Sequence, residues 1–255
     1  MSTKRLYAAL KSPVWRLLAR QDIVARYRRS TLGPFWITVT TGFFILGVGS
    51  LYGSLFGKET AAYMLYLGTG FILWQFMASV VLEGSTALIV DREMLLNARV
   101  DPAVIALRVV ARNAITFAHC IPVYLALLAY AQPPLITLPL AVPGLILLIV
   151  NAVWISTVVA VAGVRFRDVP PILVALMQIL FLLTPIIWMT GSGYVPAAFT
   201  WFNPFAHLLS AVRDPLIGHA LPIPSLLISL ALAGVGLLAA FRLIDRAASW
   251  IPYWL

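Results

Sequence analysis

The stretch YRRSTLGPFW, residues 27–36, places two arginines directly before the first long uncharged run of the chain. No residue of this run, 30–57, carries a charge, and a helix needs about 20 apolar residues to cross a bilayer core about 30 Å thick. The turn TLGP, residues 31–34, would bend the chain into the run, and Phe35 and Trp36 follow as aromatic anchors. The stretch therefore predicts a membrane-crossing helix with cations held at the membrane surface just before it.

The whole chain has the composition of an integral membrane protein. Of its 255 residues 62% are hydrophobic and 11% are charged, whereas an average soluble domain is about 25% charged. We therefore predict an all-α polytopic membrane protein with six transmembrane helices. The predicted spans cover residues 34–56, 61–82, about 113–131, about 140–164, about 172–189 and about 223–241.

Basic residues indicate the orientation of these spans. Sixteen of the eighteen Lys and Arg fall in the two tails and in the 83–112 and 165–171 loops, whereas Lys58 and Arg213 fall on the other side. Because cytoplasmic flanks of membrane helices carry an excess of cations, this asymmetry predicts a multi-pass protein with cytoplasmic N and C termini. The net charge of +9 thus has a topological cause, and nucleic-acid binding is not expected, since it needs a basic face on a soluble fold.

The segment after the fifth span is the least regular part of the pattern. Pro185 interrupts that span, and NPFAHLLSAVR, residues 203–213, begins with the helix-start signal Asn-Pro. This pattern predicts re-entrant half-helices between spans five and six, of which this one ends at Asp214-Pro215 and dips into, or lies on, the outer interface. If the fifth span were itself re-entrant, the C terminus would lie outside, which the arginines of the C-terminal tail disfavour.

An amphipathic helix is predicted ahead of the first span. After the helix-start signal Ser12-Pro13, apolar residues that include Trp15 alternate with arginines. A Trp-bearing, Arg-rich helix of this kind lies in the cytoplasmic headgroup plane. The chain thus divides into residues 1–34, with the interface helix and a Leu-Gly turn, and residues 35–255, the membrane domain. A simple topology anchor is the alternative.

The segment STALIVDREMLLNARVDP, residues 85–102, is too polar to cross a membrane. Its apolar positions surround the charged group Asp91-Arg92-Glu93, so a helix here would offer both an apolar and a charged surface to a soluble partner. The alternative is a solvated connector held by helical ion pairs.

Residues that would support catalysis or ion coupling are sparse in the spans. All nine acids fall outside or at the edge of a predicted span, and a central one would cost about 3 kcal/mol. A helix-contact role is favoured for His119, the one histidine within a span. The stretch GSLFGKE, residues 53–59, lacks the spacing and the hydroxyl residue of a phosphate loop. We therefore expect no enzymatic activity, metal site or bound cofactor on this chain, and an energy source on another subunit.

Two further patterns leave alternatives open. Gly49, Gly53 and Gly57 suit close helix packing, either within the chain or between two copies. Aromatic residues in the spans can face lipid or can line a passage in which sugar rings stack, and their spacing does not separate the two roles.

Taken in order, several segments resemble one family. They are ARQDIVARYRRSTLGPFW at 19–36, STALIVDREMLLNARVDP at 85–102, RFRDVPPILVALMQILFLLTPIIW at 165–188, NPFAHLLSAVRDPLIG at 203–218 and the terminal IPYWL. Together they resemble the membrane subunit of ABC-2 type exporters of polysaccharides, the permeases for O-antigen, capsule and teichoic acid. The first, third and fourth segments together are specific, and the middle spans match only in hydropathy.

The resemblance implies a transport permease of the bacterial inner membrane rather than an enzyme. Two copies of the chain would form a homodimer and would pair with two copies of a separate ABC ATPase subunit, which binds ATP and Mg. The cargo would be an O-antigen or related cell-surface polysaccharide linked to an undecaprenyl lipid. It would pass from the cytoplasmic to the outer side of the lipid membrane.

The resemblance also implies where function lies along the chain. ATPase coupling falls to the 85–102 segment, the gate at which cargo enters falls to the Leu-Gly turn, and the outer gate falls to residues 203–218. Arginines of the amphipathic helix could attract a phosphate head group by charge, and a subset of aromatics could line the channel. The coupling candidates are Asp91, Arg92, Glu93, Met94 and Leu95, and the outer-gate candidates are Asn203, Pro204, Phe205 and Arg213. The entry-gate candidates are Leu32 and Gly33, together with the head-group candidates Arg26, Arg28 and Arg29, with Arg16 and Arg20. The candidates for the channel lining are Tyr52, Phe56, Trp74, Phe181 and Trp188.

Two rival functions fit parts of the pattern. An ABC-2 permease for a small molecule or a simple lipid would share the fold, but its deletion would not trap a lipid-linked polymer inside the cell. A membrane-embedded acyl- or glycosyltransferase would need converging acids and histidines, and His207, Asp214 and His219 are the one such cluster on the outer side.

Overall fold

The computed structural model describes residues 5–28, 30, 31, 33, 35–57, 59–189 and 197–255. Within these ranges the regular secondary structure is entirely helical, which confirms the predicted all-α class. In chain order the helices are α1 (Arg5–Lys11), α2 (Val14–Tyr27), α3 (Phe35–Leu55), α4 (Thr60–Val90), α5 (Arg92–Leu96), α6 (Pro102–Ala118), α7 (Ile121–Ala131), α8 (Ala141–Arg165), α9 (Val169–Leu183), α10 (Ala197–Trp201), α11 (Pro204–Leu216), α12 (Ile223–Ala247) and α13 (Ile251–Trp254), with a 3-10 helix (Leu135–Leu140) before α8.

Five helical segments in the described ranges are long and apolar enough to cross a membrane. They are Phe35–Leu55, Thr60–Val90, Pro102–Ala131, Leu135–Arg165 and Ile223–Ala247, and each overlaps a predicted span, although the second and third extend beyond the predicted bounds. The remaining predicted span corresponds to α9, which has 15 residues and at 1.5 Å per residue extends over only about 22 Å. The count of six crossings therefore stays a prediction.

The expectation of a loop over residues 83–112 is wrong. Helix α4 continues to Val90, and α6 begins at Pro102, where the side chain of Asp101 accepts a hydrogen bond from the backbone N–H of Ala103. These helices can carry charges because their ionised side chains pair with one another across the bundle, and such pairing offsets the cost of desolvation.

The expected end of the half-helix at Asp214-Pro215 is also wrong, because α11 continues through Pro215 to Leu216. Proline at this position leaves the carbonyl of Ala211 without its helical N–H donor. That carbonyl packs against Gly144 of α8 so closely that an added Cβ would overlap it. The helix is thus held on α8 at the point where its own hydrogen-bond ladder is interrupted.

Helix α4 forms the centre of the bundle and contacts α3, α6, α7, α8, α9 and α11. Gly49 of α3 permits a close approach, since a Cβ there would lie 2.7 Å from Met64 Cγ, and a Cβ at Gly53 would be in ordinary van der Waals contact with the Cα of Thr60 at 3.5 Å. Gly57 instead adopts a φ of 59° in the turn between α3 and α4. The first two glycines of the series therefore serve packing within the chain.

Both terminal segments lie at one end of the bundle, which we call the terminal end. Helices α1 and α2 pack on α6, α1 also contacts α12, and α13 contacts α8. A cluster of buried apolar side chains joins these elements, among them Leu6, Leu88, Leu95, Ile105, Ile244 and Ile251. The predicted amphipathic helix is α2, which keeps Leu17 and Val24 exposed at 56% and 61%. A helix with exposed apolar side chains of this kind suits a membrane surface.

Candidate functional site

A cluster of six charged side chains lies at the terminal end and connects α2, α4 and α6. We call it the ionic cluster, and its members are Asp22, Arg26, Glu83, Asp91, Arg108 and Arg112. Arg108 of α6 stands between two acids, with Nε 2.7 Å from Asp22 Oδ2 and Nη1 2.9 Å from Asp91 Oδ2. Only 8% of Arg108 is exposed. The guanidinium thus joins the amphipathic helix to the turn between α4 and α5.

Arg112, one helical turn further along α6, forms the second half of the ionic cluster. Its Nη1 lies 2.9 Å from Asp22 Oδ2, and its Nη2 lies 2.7 Å from Glu83 Oε2. Glu83 also accepts hydrogen bonds from Asn113 at 2.8 Å and from Arg26 of α2 at 3.3 Å. Every carboxylate of the cluster therefore faces at least one guanidinium, and α2 is tied to both α4 and α6.

The pKa values of the two acids that face Arg108 are shifted in opposite directions. Burial alone would raise the pKa of Asp22, but the hydrogen bonds and charges of Arg108 and Arg112 hold it below its usual value. For Asp91, burial is the strongest influence, and together with the charge of Asp22 it raises the pKa above its usual value despite Arg108. Asp22 therefore binds the arginines as a carboxylate more firmly than Asp91 does.

Because the two pKa shifts are opposite, replacing each acid with its neutral amide should have opposite effects on the free energy of unfolding. A carboxyl whose folded pKa is lowered adds stability above its unfolded value of about 3.9, and this stability is lost as pH falls through the folded pKa. A carboxyl whose folded pKa is raised opposes folding increasingly as pH rises from its unfolded pKa to its folded pKa, and fully above that. At pH 7, Asp22→Asn should lower the free energy of unfolding by about 1–3 kcal/mol, whereas Asp91→Asn should leave it unchanged or raise it. Thermal unfolding of the purified variants at pH 7 and pH 3 measures this, and equal losses for both would contradict it.

The predicted coupling residues surround Asp91. The 85–102 segment is not one helix: it comprises the end of α4, a turn at Asp91, the short helix α5 and a second turn in which Arg99 has a φ of 52°. Arg92 and Glu93 are exposed, whereas Leu95 is buried in the apolar cluster of the terminal end. The sulfur of Met94 lies 3.3 Å from Arg108 Nη1. Helix α5 thus presents charges outward and is anchored inward on the ionic cluster.

The turn that follows α2 has the conformation that the sequence predicts. Gly33 adopts a φ of 54°, in the left-handed region that favours glycine, and its backbone N–H donates to Ser30 Oγ at 3.0 Å. Arg26 pairs with Glu83, while Arg28 is exposed at the end of α2. The candidates Leu32 and Arg29 lie outside the described residues.

At the opposite end of the bundle, Asn203 organises the start of α11. Its side-chain oxygen accepts hydrogen bonds from the backbone N–H groups of Phe205 and Ala206, and Pro204 occupies the first helical position. Its side-chain amide donates to Thr184 Oγ1 at 2.8 Å. The predicted cap is therefore confirmed, and it also ties α11 to the segment that follows α9.

Arg213 is buried, with 2% of its surface exposed. Its guanidinium lies 4.1 Å above the ring of Tyr66, donates to the backbone carbonyl of Pro185, and approaches Asp214 at 3.3 Å. Tyr66 donates to the same carbonyl at 3.0 Å. Residues of α4 and α11 thus jointly hold the chain just after α9. A cation stacked on an aromatic ring in an apolar setting is worth about 2 kcal/mol or more.

The candidate channel aromatics fall into two groups. Trp74 is 5% exposed, and its ring centroid lies 5.8 Å from those of Phe181 and Phe205, inside the bundle. Phe56 is 41% exposed at the opposite end from the termini, and its ring lies 5.7 Å from that of Tyr52. Trp188 donates from its ring nitrogen to Leu182 O at 2.9 Å. Whether any of them lines a passage stays a prediction.

The histidines have structural contacts. In His207 the ring nitrogens lie 3.0 Å from Ser225 Oγ and 2.8 Å from Trp201 O. His119 packs its ring edge-on against Phe35 of α3, with centroids 6.2 Å apart, as expected for a helix-contact group. Both nitrogens of His207 are therefore engaged in holding α11 to its neighbours, and the rival catalytic cluster gains no support from their geometry.

Sequence reasoning missed four members of the ionic cluster, namely Asp22, Glu83, Arg108 and Arg112. In the sequence they are separate charges of a tail and a predicted loop, although Arg108 and Arg112 are four residues apart and so share one helical face. That spacing was a usable signal for a paired basic surface. Its acidic partners lie about 20 to 90 residues away in the chain, and no local pattern identifies them.

Comparison with known proteins agrees with this architecture. Residues 13–217 match the ABC-2 type transporter family, and because the match covers most of the chain, this protein belongs to that family. It is 25% identical over 227 residues to the O-antigen export system permease protein RfbA of Myxococcus xanthus, covering 88% of this chain and 87% of that protein. It is 23% identical over 203 residues to the RfbA permease of Klebsiella pneumoniae, covering 78% of each chain.

Proposed function

We propose that this chain is the membrane-spanning subunit of an ATP-driven exporter that moves a lipid-linked cell-surface polysaccharide across the bacterial inner membrane. The observation that carries the proposal is the similarity to O-antigen export permeases over 88% of the chain. Neutral, aromatic and hydroxyl-bearing residues in the spans, with most of the charged residues at the terminal end, suit a long cargo of uncharged sugars. An undecaprenyl carrier and an O-antigen as cargo are the particular forms that we propose.

The proposed assembly is a homodimer of six-span subunits with two copies of an ABC ATPase, which would bind ATP and Mg. The cytoplasmic side would be the terminal end, in line with the excess of Lys and Arg there. Helix α9 would be the fifth crossing, extended by the chain up to residue 189. The placement of α1 and α13 at one end supports an even number of crossings.

In the proposed mechanism, the ionic cluster transmits the work of the ATPase. The ATPase would contact α5 at its exposed residues Arg92 and Glu93 and displace the helix. Asp91 at its start is bonded to Arg108, and Arg108 is bonded to Asp22 of α2. A displacement of α5 would therefore act on α2 and on the turn at Gly33, where the cargo would enter. Arg26, Arg28 and Arg29, with Arg16 and Arg20, would attract the phosphate of the lipid carrier.

The proposal predicts the phenotype of a deletion strain. Without this chain, lipid-linked polysaccharide should accumulate on the cytoplasmic side while surface polysaccharide disappears, because synthesis continues and export stops. Immunoblots of surface glycan and mass spectrometry of extracted lipid-linked glycan measure both pools, and a plasmid copy of the gene should restore them. Normal surface glycan in the deletion strain would refute the proposal. Loss of a drug-efflux or lipid phenotype alone would favour the small-molecule permease.

A further inference from the structure

A polar cavity lies between α3, α4 and α6, immediately beside the ionic cluster. Its volume is about 320 Å³, which is at the lower end of the roughly 300–1,000 Å³ of small-molecule sites. Asn113 forms part of its wall and donates to Glu83 of the cluster at 2.8 Å. The polar residues of the wall are Thr40, Thr41, Gln75, Ser79, Asn113 and Thr116.

Several polar groups of this wall have no partner within the described part of the chain. Ser79 lines the cavity and forms no hydrogen bond among the described residues; the hydroxyl of Thr116 has none either, but it is buried away from the cavity space. The Gln75 side chain forms a single bond, in which its oxygen accepts from Thr41 Oγ1 at 3.3 Å. Within a membrane, polar groups that face neither water nor a partner are costly. Their convergence on one cavity indicates a ligand that supplies hydrogen bonds.

The chemistry of the wall points to a neutral ligand rich in hydroxyl groups. None of the residues that line the cavity is ionisable at neutral pH, so neither a metal ion nor a phosphate would find a counter-charge there. The guanidinium of Arg112, which precedes the wall residue Asn113 in α6, is already engaged with Asp22 and Glu83. Two aromatic rings, Phe76 and Phe117, complete the wall, with centroids 5.5 Å apart. Hydroxyls, amides and aromatic faces in one small site match a sugar ring.

We propose that this cavity binds one neutral sugar ring of the transported glycan on its way from the terminal end into the membrane. The inference rests on the proposed function, since it takes the cargo to be a polysaccharide. The ring would be hydrogen-bonded by Gln75 and Ser79. The site would hold the glycan next to the ionic cluster, where a movement of α5 and α2 would displace the residues that bind it.

A second cavity offers a matched control. About 250 Å³ in volume, it lies between α4, α7 and α8 and has an almost wholly apolar wall. Thr69 in that wall has a buried hydroxyl without a partner. Thr69→Val removes one hydroxyl there, whereas Ser79→Ala removes one from the polar cavity, so the two variants differ in which cavity is changed.

Saturation-transfer NMR tests the proposal on the purified full-length chain in lipid nanodiscs. The probes are the methyl glycosides of glucose, galactose, mannose and rhamnose, each at millimolar concentration. At least one should receive saturation from the wild-type protein, and the signal should fall at least fivefold in Ser79→Ala and Gln75→Leu. It should persist in Thr69→Val. Ser79→Ala keeps the test decisive should Gln75→Leu fail to fold.

Several outcomes would overturn the proposal. One is that no glycoside receives saturation. The others are that the signal persists in all the cavity variants, or that it falls as much in Thr69→Val as in those variants. The deletion phenotype separates this inference from the proposed function. Loss of surface glycan in the deletion strain, with no glycoside binding to the cavity, would leave the export function standing and remove the sugar site. Glycoside binding to the cavity, together with normal surface glycan in the deletion strain, would remove the proposed export function and leave only a sugar-binding site.

Discussion

Replacement of Arg108 by glutamine is expected to lower the free energy of unfolding by about 3–5 kcal/mol, the usual cost of removing one partner from a buried ion pair. The side chain of Arg108 is 10% exposed, and those of Asp22 and Asp91, which it joins, are 16% and 17% exposed. Glutamine would leave both carboxylates partly buried with less neutralising charge. Asp22 would keep only Arg112. If the proposed transmission is right, export should fail as well.

A surface pair in the same chain provides the control. Arg5 of α1 lies 2.9 Å from Asp101, which is the same distance as between Arg108 and Asp91, but their side chains are 48% and 30% exposed. Exposed pairs contribute about 0–1 kcal/mol, so Arg5→Gln should change stability little. Thermal or denaturant unfolding in nanodiscs compares the two variants directly. A loss for Arg108→Gln no greater than that for Arg5→Gln would show that the ionic cluster does not hold the bundle.

A double variant measures how strongly Asp22 and Arg108 depend on each other. Asp22→Asn combined with Arg108→Gln removes both partners, so its cost should be smaller than the sum of the single costs, by about 0.5–3 kcal/mol of coupling. Export should not recover with stability, because the link between α5 and α2 remains cut. A double variant that is stable and fully active would contradict the transmission role while leaving the structural role of the cluster intact.

The spans were predictable because each depends on a local property of the sequence. Long uncharged runs predicted the five segments that can cross a membrane, and the Asn203-Pro204 pair predicted the start of α11, since a cap acts within three residues. Gly33 in the turn after α2 followed from the same local chemistry. These features can be predicted without knowing which helices are neighbours in the fold.

The extent of α4 and α6 depends on contacts that local patterns do not contain. Glu83 marked the end of the second span in the sequence, yet in the structure it is neutralised by Arg112, 29 residues away. The short α9 depends likewise on distant partners, since Tyr63 and Tyr66 of α4 donate to backbone carbonyls of residues 185–188. Side chains over 100 positions earlier thus bind the backbone that a fifth turn of α9 would have used.

Gly163 presents the tightest helix contact, and its replacement by alanine is the second change with a large expected effect. The glycine lies in α8 against α4, and a Cβ there would overlap the backbone carbonyl of Ser85. Neither helix can yield locally, because both are long and the obstacle is backbone rather than a flexible side chain. Overpacking of this kind costs about 1–3 kcal/mol and occasionally more. We expect Gly163→Ala to reach or exceed the upper end of that range.

Two other glycines make this a graded test of the same physical cause. At Gly84, which lies on the α4 side of the same contact, a Cβ would meet Val159 at 3.0 Å, so Gly84→Ala should cost less. At Gly234 of α12 no atom lies within 4 Å of the added Cβ, and alanine there should be neutral or stabilising by up to about 1 kcal/mol, because it favours the helix. Unfolding midpoints and the monodisperse fraction in size-exclusion chromatography rank the three. Since the same methyl group is added each time, any order other than Gly163, Gly84, Gly234 would mean that the α4–α8 contact is not the constraint that sets how closely these helices pack.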